Sequence, residues 1–237
     1  MKRRLPLLLA LAAALAAPAA AQPSPDALVS AWLADWRRSG EGVTAIEAAE
    51  TLEREVNGPR GRLVVEVEGR IGYARGARPE RRAERVFVNG READPRRLEQ
   101  HRRRVGRAFG AGGAEADQPP RPPGELLAAA EPVAVEEDPV DGRPAWRVTL
   151  RPEGGGRLEA WFAPPTSAPR LLRTRHEQGL RRGGRVVREA EYARVGGLDL
   201  PATTRATVTV RQRRRLRDYA VTFSTAGRYS DYRVTRR

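Results

Sequence analysis

The chain has no cysteine, one methionine, two histidines and a single lysine among its 237 residues. The missing cysteine excludes disulfides, thiolate metal ligands and a thiol nucleophile, so the chain has to hold together by its own core. The two histidines, His101 and His176, stand far apart and lack the spacing of a metal site. Aromatic residues make up 5% of the chain. Leu, Ile, Val and Phe together make up about a fifth, a lean supply for a core and close to the composition of disordered chains. Glycine-rich nucleotide fingerprints and a serine in a nucleophile elbow are also missing. The triplet Gly154-Gly155-Gly156 reads as a hairpin turn. Glu136, Glu137 and Asp138 are adjacent and alternate across a strand, so at most two share a face, which fits a solvated approach to a turn better than paired catalytic carboxylates. These absences point away from an enzyme, a metal or a cofactor.

One long hydrophobic run is present, at the start. Lys2, Arg3 and Arg4 precede an apolar stretch from Leu5 to Ala17, and Ala19-Ala20-Ala21 supplies small residues. This is the pattern of a secretory signal peptide over residues 1–21, cleaved between Ala21 and Gln22. The run is shorter than the roughly 20 residues that span a bilayer, and Pro18 ends it. Without a following cysteine there is no lipoprotein anchor. The expected product is a soluble periplasmic protein of one domain, residues 22–237.

The formal net charge is +14, or +11 once Lys2, Arg3 and Arg4 leave with the signal. Arginine supplies 43 of the 44 basic residues, which is the mark of a compositional bias. The arginines alternate with glutamates along solvent faces and form no stripe, so nucleic acid is not the expected partner. An anionic membrane surface fits the charge better.

What is abundant is alternation. Trp146, Val148 and Leu150 fall on one side of a strand and Arg147, Thr149 and Arg151 on the other. Leu158, Ala160 and Phe162 repeat the pattern, followed by residues 186–193, by Ala206, Val208 and Val210, and by Tyr219, Val221 and Phe223. Leu63, Val65, Val67, Ile71 and Tyr73 share a face earlier in the chain, where Gly69 marks a bulge or bend. A strand that long calls for an antiparallel partner, so residues 43–56 are expected to be a strand despite an alternative capping-box reading at Thr44 and Glu47. Residues 74–84 read as a charged loop, 85–88 as a short strand ending at Asn89-Gly90, and Tyr229 and Tyr232 as part of a short last strand. Pro201 is expected at the entry to a strand.

Helical spacing appears at Leu28, Val29, Trp32, Leu33 and Trp36, with Ser24 or Asp26 as the cap and a stop near Ser39-Gly40. A second helix, basic and started by Pro95, is expected over 95–109, then a mobile Gly/Pro loop over 110–124 and one more helical turn within 125–130. The fold class is mainly β, of the α+β kind: a curled antiparallel sheet forming an incomplete β-barrel, closed by short helices.

Several of these elements carry a resemblance. An exported chain with paired aromatics on its first helix, a long hairpin, Val88-Asn89-Gly90, a Pro-started basic helix, and a meander holding Arg147-Val148-Thr149-Leu150, Glu159-Ala160-Trp161-Phe162 and Gly196-Gly197-Leu198-Asp199-Leu200-Pro201 is similar to the LolA-like group of lipoprotein-sorting carriers and RseB-type sensors. The resemblance implies a hollow that binds acyl chains or a lipidated protein. The inward sets that would line it are Val65, Val67 and Ile71, Val148 and Leu150, Ala160 and Phe162, Val208 and Val210, and Val221 and Phe223, under a lid of Trp32 and Trp36. The alternative is a sensor that docks an envelope protein partner on its basic surface.

Overall fold

The computed structural model describes residues 22–58, 61–74, 77, 79–94, 119–164, 168–180, 183–214 and 217–237, without the side chains of 212–214 and 217–219. The expected signal peptide, the helix over 95–109 and most of the 110–124 loop lie outside the described residues.

Among the described residues eleven strands form one sheet: β1 (Val43–Gly58), β2 (Gly61–Ala74), β3 (Glu80–Val88), β4 (Arg91–Ala93), β5 (Ala130–Glu137), β6 (Trp146–Pro152), β7 (Arg157–Ala163), β8 (Arg170–Leu180), β9 (Gly184–Val195), β10 (Leu198–Arg214) and β11 (Arg217–Arg236). The spatial order is β4-β3-β2-β1-β11-β10-β9-β8-β7-β6-β5, and every neighbouring pair is antiparallel. Each strand pairs with its neighbour in sequence except at one place, where β1 pairs with β11 from Val43↔Arg236 to Asn57↔Thr222. The sheet ends at β4 and β5, so it curls without closing into a barrel.

Alternation explains the mostly one-sided core. Most of the buried apolar side chains fall on one face, Trp161 being an exception, while the other carries Glu–Arg pairs across neighbouring strands, such as Glu55–Arg62 at 2.8 Å and Glu68–Arg85 at 3.1 Å. Such exposed pairs add little stability, because solvent screens them.

Two helices cover part of the inner face: α1 (Pro25–Ser39) and α2 (Pro123–Ala128). Ser24 caps α1 by accepting from the Ala27 N–H, Asp26 sits in the first turn, and Arg37 and Arg38 occupy the last, each matched to the helix dipole. The stripe of α1 buries Leu28, Val29 and Trp32 against Val148, Leu150, Leu158 and Phe162. Full burial of side chains of this size stabilises by about 1.5–3 kcal/mol each. Trp36 lies stacked on Trp32 at 5.4 Å and covers Gly124 of α2 so closely that a side chain there would collide with the indole.

The strand over 43–56 and the bend at Gly69 are present. The extra residue sits across from Gly69, in β3, where Glu68 pairs with Arg85 but Gly69 pairs with Ala83. A Cβ at Gly69 would run into the Arg82 carbonyl. Gly69→Val is expected to lower stability by more than 1 kcal/mol, the usual scale of overpacking, read as a shift in the urea midpoint; an unchanged midpoint would show that the bend relaxes freely.

Three expectations are corrected. Residues 80–84 are strand rather than loop, because Arg81 and Arg82 pair with Ile71 and Arg70. Tyr229 and Tyr232 belong to the same long strand as Val221 and Phe223; β11 stays paired to β1 and absorbs a register shift near Asp231, whose φ is 51°. Pro201 sits inside β10, four residues in, at a register shift between Pro201 and Thr203 where its missing N–H takes no ladder bond.

Candidate functional site

Two features of the inner face are built from polar chemistry. The first fixes α1. Asp199, near the start of β10, has 0% exposure. Its Oδ2 accepts from the Trp32 indole N–H at 2.8 Å and from the Leu171 N–H at 2.9 Å. Its Oδ1 lies 3.3 Å from the Arg194 guanidinium, whose other end reaches Asp35 on α1 at 2.6 Å. One carboxylate and one guanidinium therefore tie the helix to β8, β9 and β10.

The second is a cavity of about 450 Å³. Register creates it. Across the middle of the sheet, Ala160, Thr174, Ala190, Thr204 and Gly227 stand opposite one another on five successive strands. Flanking strands continue this row with larger residues, Val148 at one end and Leu52, Val67 and Val86 at the other. Small side chains on a curled sheet leave space above them. Thr174, Ala190 and Thr204 form the floor, and Leu126 and Ala129 with Pro119 and Pro120 stand on one side. The turn Glu153–Gly155 closes over β8, where Gln178 donates to the Gly154 carbonyl at 3.1 Å.

The floor hydroxyls have partners. Thr174 and Tyr192 share a hydrogen bond at 3.0 Å, and Thr204 and Tyr229 one at 3.2 Å. Burial pushes both tyrosines up to about 12, so they remain neutral at any physiological pH. At the β1 end Glu50, 5% exposed, is gripped by Arg81 at 2.9 Å. At the β8–β9 end stand His176 and Arg188, cross-strand partners on the inner face.

The chain matches no protein-family model and no curated protein. Lipoprotein-sorting and MucB structures are what it is similar to. A domain from Vibrio parahaemolyticus described as an outer membrane lipoprotein-sorting protein shares 12% identity, with 90% of this chain and 94% of that one covered and a TM-score of 0.46. A DUF1329 family protein from Desulfovibrio piger shares 11% over the same fractions, with a TM-score of 0.39. MucB of Pseudomonas aeruginosa, solved with MucA, shares 13%, with 88% of this chain and 99% of that chain covered and a TM-score of 0.22.

The twelve residues expected to surround a ligand are all on the inner side but are not gathered at this cavity. Trp32, Trp36, Val148, Leu150 and Phe162 pack together under α1, with Trp32 at 0% exposure and edge-on to Phe162. Val208, Val210, Val221 and Phe223 form a second cluster with Val186. Ile71 packs with Ala48 and Tyr229, and Val65 and Val67 pack with Leu52 and Val86. None of the twelve borders the cavity. The indole N–H of Trp32 is held by Asp199.

The residues at the cavity are mostly the small and polar members of the same strands. Their signal was present as interruptions in the apolar alternation, such as Thr174, Ala190 and Thr204. The acidic cluster ahead of β6 is held electrostatically: Arg147 binds Glu136 at 2.7 Å and lies 3.3 Å from Asp138.

Proposed function

We propose that the protein is an exported binding protein that carries a hydrophobic ligand, a lipid acyl chain or the acyl group of a lipidated protein, on the inner face of its half-open sheet. One observation carries the reading. The row of small side chains through Ala190 leaves about 450 Å³ of space beneath a half-cover of helices, within the range of small-molecule sites. Leu52, Leu126 and Ala206 supply apolar contact there. The signal at residues 1–21 supplies the route to the periplasm. Among the described residues no helix is long and apolar enough to cross a membrane. The role is that of a carrier, with no bond made or broken.

Docking of an envelope protein on the basic surface has less support, because outer-face arginines such as Arg62, Arg85 and Arg173 pair with glutamates. Native mass spectrometry of the chain from an exporting host, paired with solvent extraction, tests the choice. Acyl species in near-stoichiometric amount are expected. A bare mass, with no uptake of added fatty acid or phospholipid, would overturn the carrier reading, and capture of a protein at low but not high salt would favour docking.

A further inference from the structure

The cavity is long and narrow, and the acyl reading leaves its section and its polar corner unused. Its floor row runs Thr174, Ala190, Thr204, Gly227, Leu52, from β8 to β1, each residue directly opposite the next. Four strand-to-strand steps span roughly 19 Å at the usual spacing of a sheet. Spread over that length, about 450 Å³ leaves a section of roughly 24 Å². Carbon chains in contact stand about 4.0–4.5 Å apart, so this section holds one chain and leaves no room for a second beside it.

The polar corner is at the β8–β9 end. Thr174, 4% exposed, and Tyr192 both border the cavity, share one hydrogen bond at 3.0 Å, and make no other among the described residues. Two hydroxyls carry two hydrogens, and a shared bond uses one. One donor hydrogen is therefore left at the cavity wall. Asp199, the buried acid on this side, is engaged by Trp32, Leu171 and Arg194. The second pair, Thr204 and Tyr229, differs: Glu50 stands directly opposite Tyr229 on β1 and brings a carboxylate beside it. Behind the first pair the cavity is closed, because Tyr192 packs against the cluster under α1. A chain that starts at Thr174 has to run over Ala190 toward Leu52.

We propose that the cavity takes a monoacyl ester, its ester carbonyl accepting from the Thr174–Tyr192 pair and its one tail lying over Ala190 toward Leu52. The proposal rests on the acyl-chain reading and specifies its ligand. An ester carbonyl asks for a donor and brings no hydrogen of its own, which matches a corner that offers one. A carboxylate there would give up its hydration beside two neutral hydroxyls, at a far greater cost than a neutral carbonyl. A diacyl lipid would leave its second tail outside the section, in water.

The test is calorimetric titration of the delipidated chain with monodecanoylglycerol, its decyl ether analogue and didecanoylglycerol. The first two differ in the carbonyl, the first and third in the second tail. The monoester is expected to bind one per chain, and about three- to tenfold more tightly than the ether, the worth of one hydrogen bond. The diester is expected to bind no more tightly than the monoester. Thr174→Val combined with Tyr192→Phe removes both hydroxyls at nearly constant shape and brings the monoester down to the level of the ether. Equal binding of monoester and ether by the unsubstituted chain overturns the carbonyl subsite and leaves the acyl reading in place, with no variant needed. A gain of tenfold or more from the second tail overturns the one-chain section. A preference for the ester that survives the double substitution takes the carbonyl away from Thr174 and Tyr192 and overturns the assignment. Failure of all three to bind overturns the acyl reading itself.

Discussion

Asp199→Ala lowers the stability of the chain by about 3–5 kcal/mol, the scale for removing one partner of a buried ion pair. The reason lies in what the carboxylate satisfies. At 0% exposure it has no water to fall back on, and it serves Trp32, Leu171 and Arg194 together. Alanine leaves the indole N–H and a backbone N–H buried without acceptors, each costing about 1–3 kcal/mol, and a guanidinium with only Asp35 beside it. These terms overlap and do not sum. In a domain of this length the loss corresponds to a melting point on the order of 10 °C lower. Asp199→Asn keeps one acceptor oxygen and is expected to lose about half as much. Asp35→Ala removes only the outer partner of Arg194, and a loss near 1 kcal/mol follows. Urea midpoints at constant m-value measure all three. An Ala variant within 0.5 kcal/mol of the parent, roughly the size of an ordinary surface substitution, would show that α1 is held by its apolar stripe alone.

That node also shows where the sequence stops being readable. Locally, Gly196-Gly197-Leu198-Asp199-Leu200-Pro201 carries turn signals, and Gly196 and Gly197 do adopt positive φ at 56° and 85°. Nothing near Asp199 points to Trp32, 167 residues away. The strands themselves were legible because a period of two is a local property: the inward sets of β2, β6, β7, β10 and β11 were identified residue by residue. So was α1, from its stripe and its serine cap. Residues 80–84 were not, since a run rich in Arg and Glu has little strand preference of its own and is held extended by β2. The cavity was the least legible feature. Periodicity picks out the large apolar residues, which fill space, while a cavity is made by residues that fail to fill it. Thr174, Ala190, Thr204 and Gly227 become a row only once the register of four strands is fixed.

The same logic gives the sharpest test of where a ligand sits. Ala190 lies at the centre of that row, between Thr174 on β8 and Thr204 on β10, and borders the cavity. Ala190→Trp sends an indole into open space, so the usual overpacking cost of about 1–3 kcal/mol should be largely avoided and the melting point should move by only a few degrees. Acyl species retained in native mass spectrometry should fall from near-stoichiometric to background, because the tail and the indole compete for one volume of about 450 Å³. Thr51→Trp places the same indole on an exposed position of β1, on the outer face opposite Glu68, and should leave retention unchanged. Gly227→Ala is a finer probe. Its new methyl would press on Thr204 Oγ1 at 2.7 Å and on the Tyr229 hydroxyl at 2.8 Å, disturbing the floor without filling it. Retention that survives Ala190→Trp undiminished would take the ligand away from this cavity and return it to the packed clusters around Trp32 and Phe223, which would then have to open to admit it.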